Sequence, residues 1–228
     1  MFDKKIDFCA TNKEMVDIWP HPTPATQAIP KEYKNLERLG GGDLTNATVK
    51  TCMPFLDAMT AGYMLYFDQD YLIDPAGNDF QIKPSDNESH MEYHGKKQLP
   101  KEWHGKIGET AGKINNVWLI KTPPGYSCLF IHPLNHMGMD KIQMISGIVD
   151  TDVYINAINF PFIVLDKSKQ FLLKKGDPMI QVIPFKRESW KMSSGFYYEK
   201  DHSKTRNLLR SEWLDRYKRF FWNKKSYK

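Results

Sequence analysis

The chain has 228 residues, 41% of them hydrophobic and 26% charged, the composition of a folded protein with enough apolar mass for a core in one large β-rich domain or two small ones. No window approaches the ~18 apolar residues of a membrane span, and the opening MFDKKIDFCATNKEMVDIW lacks the blocks of a secretory signal, so a cytoplasmic protein without membrane attachment is expected. The formal charge of +5 is uneven: residues 200–228 hold ten Lys or Arg against three acids, which leaves the body mildly acidic.

In chain order, residues 1–45 open with an edge strand and then carry PHPTPATQAIPKEY, whose prolines predict an extended, non-helical arm over 19–34. The period of Val49, Cys52, Met53, Leu56 and Met59 predicts a helix over 45–60, capped by Thr45 or Asn46 and stopped at Gly62. GYMLYF and YLIDPAGNDFQI then read as strands, the second run folding into a hairpin at Pro-Ala-Gly-Asn. Residues 83–113 are polar and read as a long loop or two weak strands. Strand signals resume in NVWLIKT, GYSCLFIHP, KIQMISGIVD, YINAINFPFIVL and PMIQVIPF.

Many short strands separated by turns predict a mainly β fold, a jelly-roll-like barrel over residues 1–200 with strands across 62–186. A basic segment, 201–228, follows. Leu209, Trp213, Tyr217 and Phe220 or Phe221 recur at helical spacing, so an amphipathic helix is expected from Asp201 to Trp222, with an aromatic stripe packed and a basic face. Interleaved Lys, Arg and aromatic residues also suit nucleic acid, since cations neutralise phosphates and rings stack on bases. Cys9, Cys52 and Cys128 are too few and too far apart for a disulfide framework or zinc cluster and read as reduced, packed thiols.

Three stretches carry possible chemistry. SGIVDTDVY (146–154) ends an apolar strand with Asp150 and Asp152 before Tyr154, either a polar turn or a carboxylate site. In PMIQVIPF, Gln181 is a lone amide among apolar neighbours and must find partners if buried. In SHMEYHG, an extended backbone would put His90, Glu92 and His94 on one side as a candidate metal site, with His104 ten residues on. His132 and His136 are candidates for a ligand or a proton shuttle.

Taken together, TPPGYSCLFIHPLN (122–135), SGIVDTDVY and KKGDPMIQVIPF (174–185) resemble successive motifs of dUTP pyrophosphatases and dCTP deaminases, the β-clip superfamily, over residues 114–186. Gly147, Asp150, Asp152, Gly176, Asp177 and Gln181 fall on matching positions, and the chain looks nearer to phage and bacterial relatives with degenerate motifs. The resemblance implies a β-clip fold, an Asp150 that orients an attacking water, a Tyr154 under a deoxyribose, a nucleotide ligand and magnesium or another divalent ion. It also implies homo-oligomers, trimers first and dimers next, with sites between subunits.

Several positions depart from the pattern. The family's phosphate-binding PRSG reads His132, Pro133, Leu134, Asn135, and Met64 stands where an acid would hold magnesium. Tyr154 comes one residue late, which in a strand reverses the side chain. The closing glycine-rich tail has only SSGFYY (193–198) as a remnant. A ligand-binding or assembly module without ordinary dUTP hydrolysis is therefore expected. The alternatives are a deoxynucleoside triphosphate hydrolase or deaminase with an altered site, and a metal-dependent enzyme using His90, Glu92 and His94.

Overall fold

Buried and half-exposed positions alternate along the strands as a one-sided sheet requires: Phe160, Phe162 and Val164 point inward from one strand, Phe171 and Leu173 from another, with Leu172 exposed between them. The computed structural model describes residues 4–10, 12–42, 45–77, 79–86, 88–95, 98–103, 110–196, 199–210 and 214–228. The chain is mainly β. Among the described residues the strands are β1 Asp7–Ala10, β2 Thr23–Pro24, β3 Tyr63–Tyr66, β4 Tyr71–Ala76, β5 Asp79–Pro84, β6 Met91–His94, β7 Ala111–Ile114, β8 Trp118–Lys121, β9 Tyr126–Ile131, β10 Ile142–Met144, β11 Gly147–Val149, β12 Phe160–Val164, β13 Phe171–Leu173 and β14 Pro178–Lys186.

All pairings are antiparallel, in sheets ordered β1-β8, β10-β12-β7-β6, β11-β9-β14-β3-β2 and β13-β4-β5. These sheets are open, so the expected barrel is not closed among the described residues. The edges of the largest one show why. Strand β2 is two residues long and carries a proline, and β11 is three residues long, so neither extends the ladder further. One cluster of buried side chains joins strands from all four sheets, from Leu65 and Ile73 through Ile114 and Phe130 to Val182. At its centre Met179, Ile180, Gln181 and Val182 are all buried, because β14 is paired on both sides and covered on both faces. Each apolar side chain so buried contributes about 1.5–3 kcal/mol.

The β4-β5 hairpin stands where Pro-Ala-Gly-Asn placed it, and the polar stretch 83–113 supplies the paired strands β6 and β7. Three expectations change. The helix predicted over 45–60 is α3, Met53–Thr60, preceded by a 3-10 turn at Val49–Thr51. Pro54 decides this: its ring would clash with a preceding helical turn, whereas its fixed φ suits the first one. The arm over 19–34 is not free of helix, since it contains a 3-10 turn at Ala25–Ala28 and α2, Lys31–Asn35, which follows α1, Lys13–Ile18. Pro30 stands just before α2, where a proline needs no donor, and Trp19, Ala25 and Tyr33 are buried against the body.

The C-terminal helix is likewise interrupted. It comprises α4, Glu199–Arg210, and α5, Arg216–Phe220, with Asp215 in the left-handed region at φ 58 and paired with Arg38. Trp213, one member of the expected stripe, lies outside the described residues, as do His104, Tyr197 and Tyr198. Of the cysteines only Cys128 is packed; Cys9 and Cys52 are exposed thiols. Among the described residues no helix is long and apolar enough to cross a membrane.

Candidate functional site

The hairpin after β11 folds around its own carboxylates. Val153 and Tyr154 donate their amides to the Asp150 carbonyl at 3.1 and 2.9 Å, closing a tight turn. Thr151 is buried beneath it, its hydroxyl 2.7 Å from that of Thr122. Asp150 accepts from the Ser127 hydroxyl at 2.6 Å, and its side chain is 56% exposed. The Asp152 side chain is only 5% exposed and accepts from the Gly125 amide at 2.8 Å.

Arg187, just past β14, holds this turn. It donates to both Asp152 oxygens at 2.8 and 2.5 Å, to the Tyr126 carbonyl at 3.0 Å and to Ser127 at 3.1 Å, and it lies 3.3 Å from Asp150. The guanidinium, and after it the Gly125 amide, pulls the Asp152 carboxyl down to about 2, and the arginine is held above its usual range in return. The clamp arises because β9 and β14 pair with Tyr126 opposite Lys186, which brings Arg187 back over the turn. Only that register could have revealed Arg187, since the side chain lies in an ordinary polar run, FKRES.

A second group of the motif residues meets elsewhere. Gln181 is fully buried and satisfied: its oxygen accepts from the Leu134 amide at 2.9 Å, and its nitrogen donates to the Ala58 and Ala61 carbonyls at 2.9 and 2.7 Å. Asn135, at φ 62, donates to the Phe55 carbonyl at 3.0 Å. Met64 is paired beside Gln181 across β3 and β14. Ser127, the partner of Asp150, and Ile131, opposite Gln181, are four residues apart on β9, or about 13 Å. Within one chain, then, Asp150, Asp152 and Tyr154 stand at one end of the sheet and Asn135 and Gln181 at the other.

Two clefts open at the second end. One of about 500 Å³ is lined by Tyr33 and Phe55, whose rings stack at 5.8 Å, with Leu36, Met59, Asn135 and Met137. The other, also about 500 Å³, is lined by Lys31, Lys34, Tyr66, His136 and Asp177. They meet along Pro30, Glu32 and Gly138. Burial lowers the pKa of His136, and His132 beside it lowers it further, so the imidazole is neutral at neutral pH. Its Nε2 is buried and has no hydrogen-bond partner among the described residues. His132 is held lower by burial too, and its Nδ1 accepts from the Met144 amide at 3.3 Å.

The magnesium implied by the motifs finds no fitting donors here. Met64 is wholly buried in β3, and Asp152 is committed to Arg187 and Gly125. Nor are His90, Glu92 and His94 brought together. His90 Nδ1 lies 2.7 Å from the buried carboxylate of Asp68, Glu92 pairs with Lys113 at 2.5 Å, and His94 lies 2.5 Å from Gln98. Each has found its own partner because His90 precedes β6 and is drawn inward, while Glu92 and His94 ride the exposed strand. Among the described residues no group of three or more His, Cys, Asp or Glu is placed to hold a metal ion.

No family model and no curated protein matches the chain. Among solved structures, a mutant dUTPase of phage 80alpha aligns at 11% identity over 87% of this chain and 93% of that one, with a TM-score of 0.42. The Staphylococcus bacteriophage 80alpha dUTPase with dUPNHPP aligns at 10% identity over 86% and 90%, with a TM-score of 0.39. The dUTPase from phage phi11 of S. aureus gives 10% over 86% and 98%, also at 0.39. All three are dUTPases. At this distance the likeness assigns no role to any residue of this chain.

Proposed function

We propose that the chain is a ligand-binding or assembly module of the β-clip kind, without ordinary dUTP hydrolysis, and that its ligand is a nucleotide held in the paired clefts around Asn135 and His136. The observation that carries this is the buried Nε2 of His136 with no partner among the described residues, on a ring that lines a cleft. A buried polar atom without a partner implies a missing donor or acceptor. The aromatic cleft beside it suits a base, and Lys31 and Lys34 suit an anionic group.

Turnover is disfavoured by the same geometry. Asp152 is neutralised by Arg187, and Asp150 stands on an exposed turn. Asp150 and Tyr154 would reach a ligand at Asn135 and His136 only from a neighbouring subunit, which is the reading under which a homo-oligomer completes the site; Gln181 and Asp152 stay committed to their own partners. A divalent ion would then arrive with the triphosphate.

The test is to titrate the protein with each common deoxynucleoside triphosphate, with and without magnesium, following heat of binding together with release of pyrophosphate or ammonia. Expected is saturable binding without product, weakened by His136→Ala and untouched by Glu92→Gln. Product release that disappears in Asp150→Asn would establish the hydrolase or deaminase instead, and the absence of binding to any triphosphate would end the nucleotide reading.

A further inference from the structure

Residues 214–228 lie back on the body. Asp57 of α3 accepts from Trp222 Nε1 at 2.9 and 3.0 Å and from Lys225 at 2.6 Å. Tyr227 meets the edge of Tyr63 at 6.0 Å, the Tyr63 hydroxyl donates to the Lys228 carbonyl at 3.4 Å, and Asp215 pairs with Arg38. On either side of this docked segment is a cleft with walls from both tail and body. One, of about 340 Å³, has Ile29, Met53 and Leu56 at its floor and Lys34, Arg38, Lys50 and Lys218 around it. The other, of about 370 Å³, sets Lys4, Lys5 and Lys186 against Tyr63, Tyr126 and Tyr227.

Among the described residues Asp215 is the one acid lining either cleft, and it is taken by Arg38; Asp7 and Glu188, which do not line the clefts, pair with Lys5 at 2.6 Å and with Lys186 at 2.7 Å, so the cations of both clefts still outnumber the acids that meet them. Among them, too, Lys34 and Lys218 have no ion pair, and Lys4 is met by the face of Tyr126 at 5.1 Å. Cations gathered in this way repel one another and attract a partner that carries repeated negative charge. Tyr126 has one face taken by Lys4 and Tyr63 packs on Phe8 and Tyr227, and the ring surface these tyrosines leave toward the cleft is of the kind on which bases stack whatever their sequence. That surface is recessed in a cleft, where an unpaired base can enter and a stacked duplex base cannot.

We infer that the docked tail and the body together form a binding surface for single-stranded nucleic acid, with phosphates on the lysines of both clefts and bases against the tyrosines. The surface is composite. Asp57 carries a charge that repels the ligand, yet it builds the site by holding Trp222 and Lys225 in place.

The composite surface makes a prediction opposite to that of a loose basic tail. Fluorescence anisotropy of a labelled oligothymidylate of about twenty nucleotides, titrated with the full chain, reads both affinity and its salt dependence. Lys218→Glu, and the body pair Lys4→Glu with Lys186→Glu, should each weaken binding about fivefold or more and flatten the salt slope by about 0.7 for every phosphate no longer neutralised. Asp57→Ala should also weaken binding, although it makes the chain more positive. Tighter binding by Asp57→Ala, or unchanged binding by the body pair, would show a free polybasic tail and overturn the inference. The inference is also overturned by no binding at low salt, or by a mononucleotide or anionic vesicle that competes as well as the oligonucleotide. Melting curves accompany each variant, and the exposed body pair decides the matter should Asp57→Ala fail to fold.

Discussion

Arg187 joins two strands and a turn through one planar group, so its removal tests what the hairpin carboxylates do. In Arg187→Ala, Asp152 keeps its charge at neutral pH, almost buried, with only the Gly125 amide to satisfy it. The sign follows from the depressed pKa: Asp152 stabilises the fold above the ordinary carboxylate range, and that stabilisation is lost as pH falls toward about 2. The variant should therefore melt below the parent at pH 7, with the two melting curves converging as the pH approaches 2. A gap that stays constant with pH would mean that Arg187 acts through packing alone. At this scale the sequence is legible for Gln181, whose isolation among apolar neighbours announces a buried amide with partners to find. It is not legible for Arg187 or the Tyr33–Phe55 pair. Their partners come from distant strands or from the arm, and nothing local marks a residue whose neighbour is fixed by register.

Among the elements, a close approach of backbone to backbone is made at Gly62, between α3 and β3. It sits at φ +69, and a Cβ there would stand 2.0 Å from the Val182 carbonyl oxygen. Its own carbonyl accepts from Ala25 at 3.0 Å, so one residue ends the helix, starts the strand and anchors the arm. Gly62→Ala should cost more than ~2 kcal/mol, because strain in a left-handed position adds to a clash with backbone that has no room to yield. Gly125→Ala is the natural control: its φ is +83, with nothing within 4 Å of the new methyl, and a loss of about 1 kcal/mol is expected. Equal losses in denaturant melts would remove the clash from the account. Gly62 is readable as a helix stop, as is the β4-β5 hairpin, since both depend on a few adjacent residues. The start of α3 is harder to read because its apolar period continues upstream through Val49 and Cys52, although Pro54 forbids the helix there. In the same way the spacing of Leu209, Tyr217 and Phe220 hides the break at Asp215.

For the whole molecule, short strands punctuated by turns announce the β class, but the way the sheets open, and what they leave uncovered, depends on pairings far apart in the chain. The proline-rich arm over 19–34 needs no neighbour to cover it, since it buries Trp19, Ala25 and Tyr33 in its own body. Among the described residues, two groups of exposed apolar side chains lie close together in sequence. Ile148, Val153, Tyr154 and Ile155 stand exposed around the hairpin, and Trp190, Met192 and Phe196 are exposed on the segment that leaves β14, with Trp190 87% accessible. Large apolar side chains gathered in this way mark surfaces that another chain covers. With one exposed apolar group on the hairpin and another on the segment that leaves β14, each copy has something to offer and something to cover, and closed symmetry satisfies all copies equally. We therefore expect a homo-oligomer, a trimer before a dimer, so light scattering at low micromolar concentration should give a mass near three times 26.6 kDa. Replacing Trp190 and Met192 by Ser should lower that mass without changing the melting of the separated chain, because neither side chain is buried in its own body. A parent protein that scatters as a monomer would remove both the oligomer and the idea that Asp150 is presented to a neighbour's cleft.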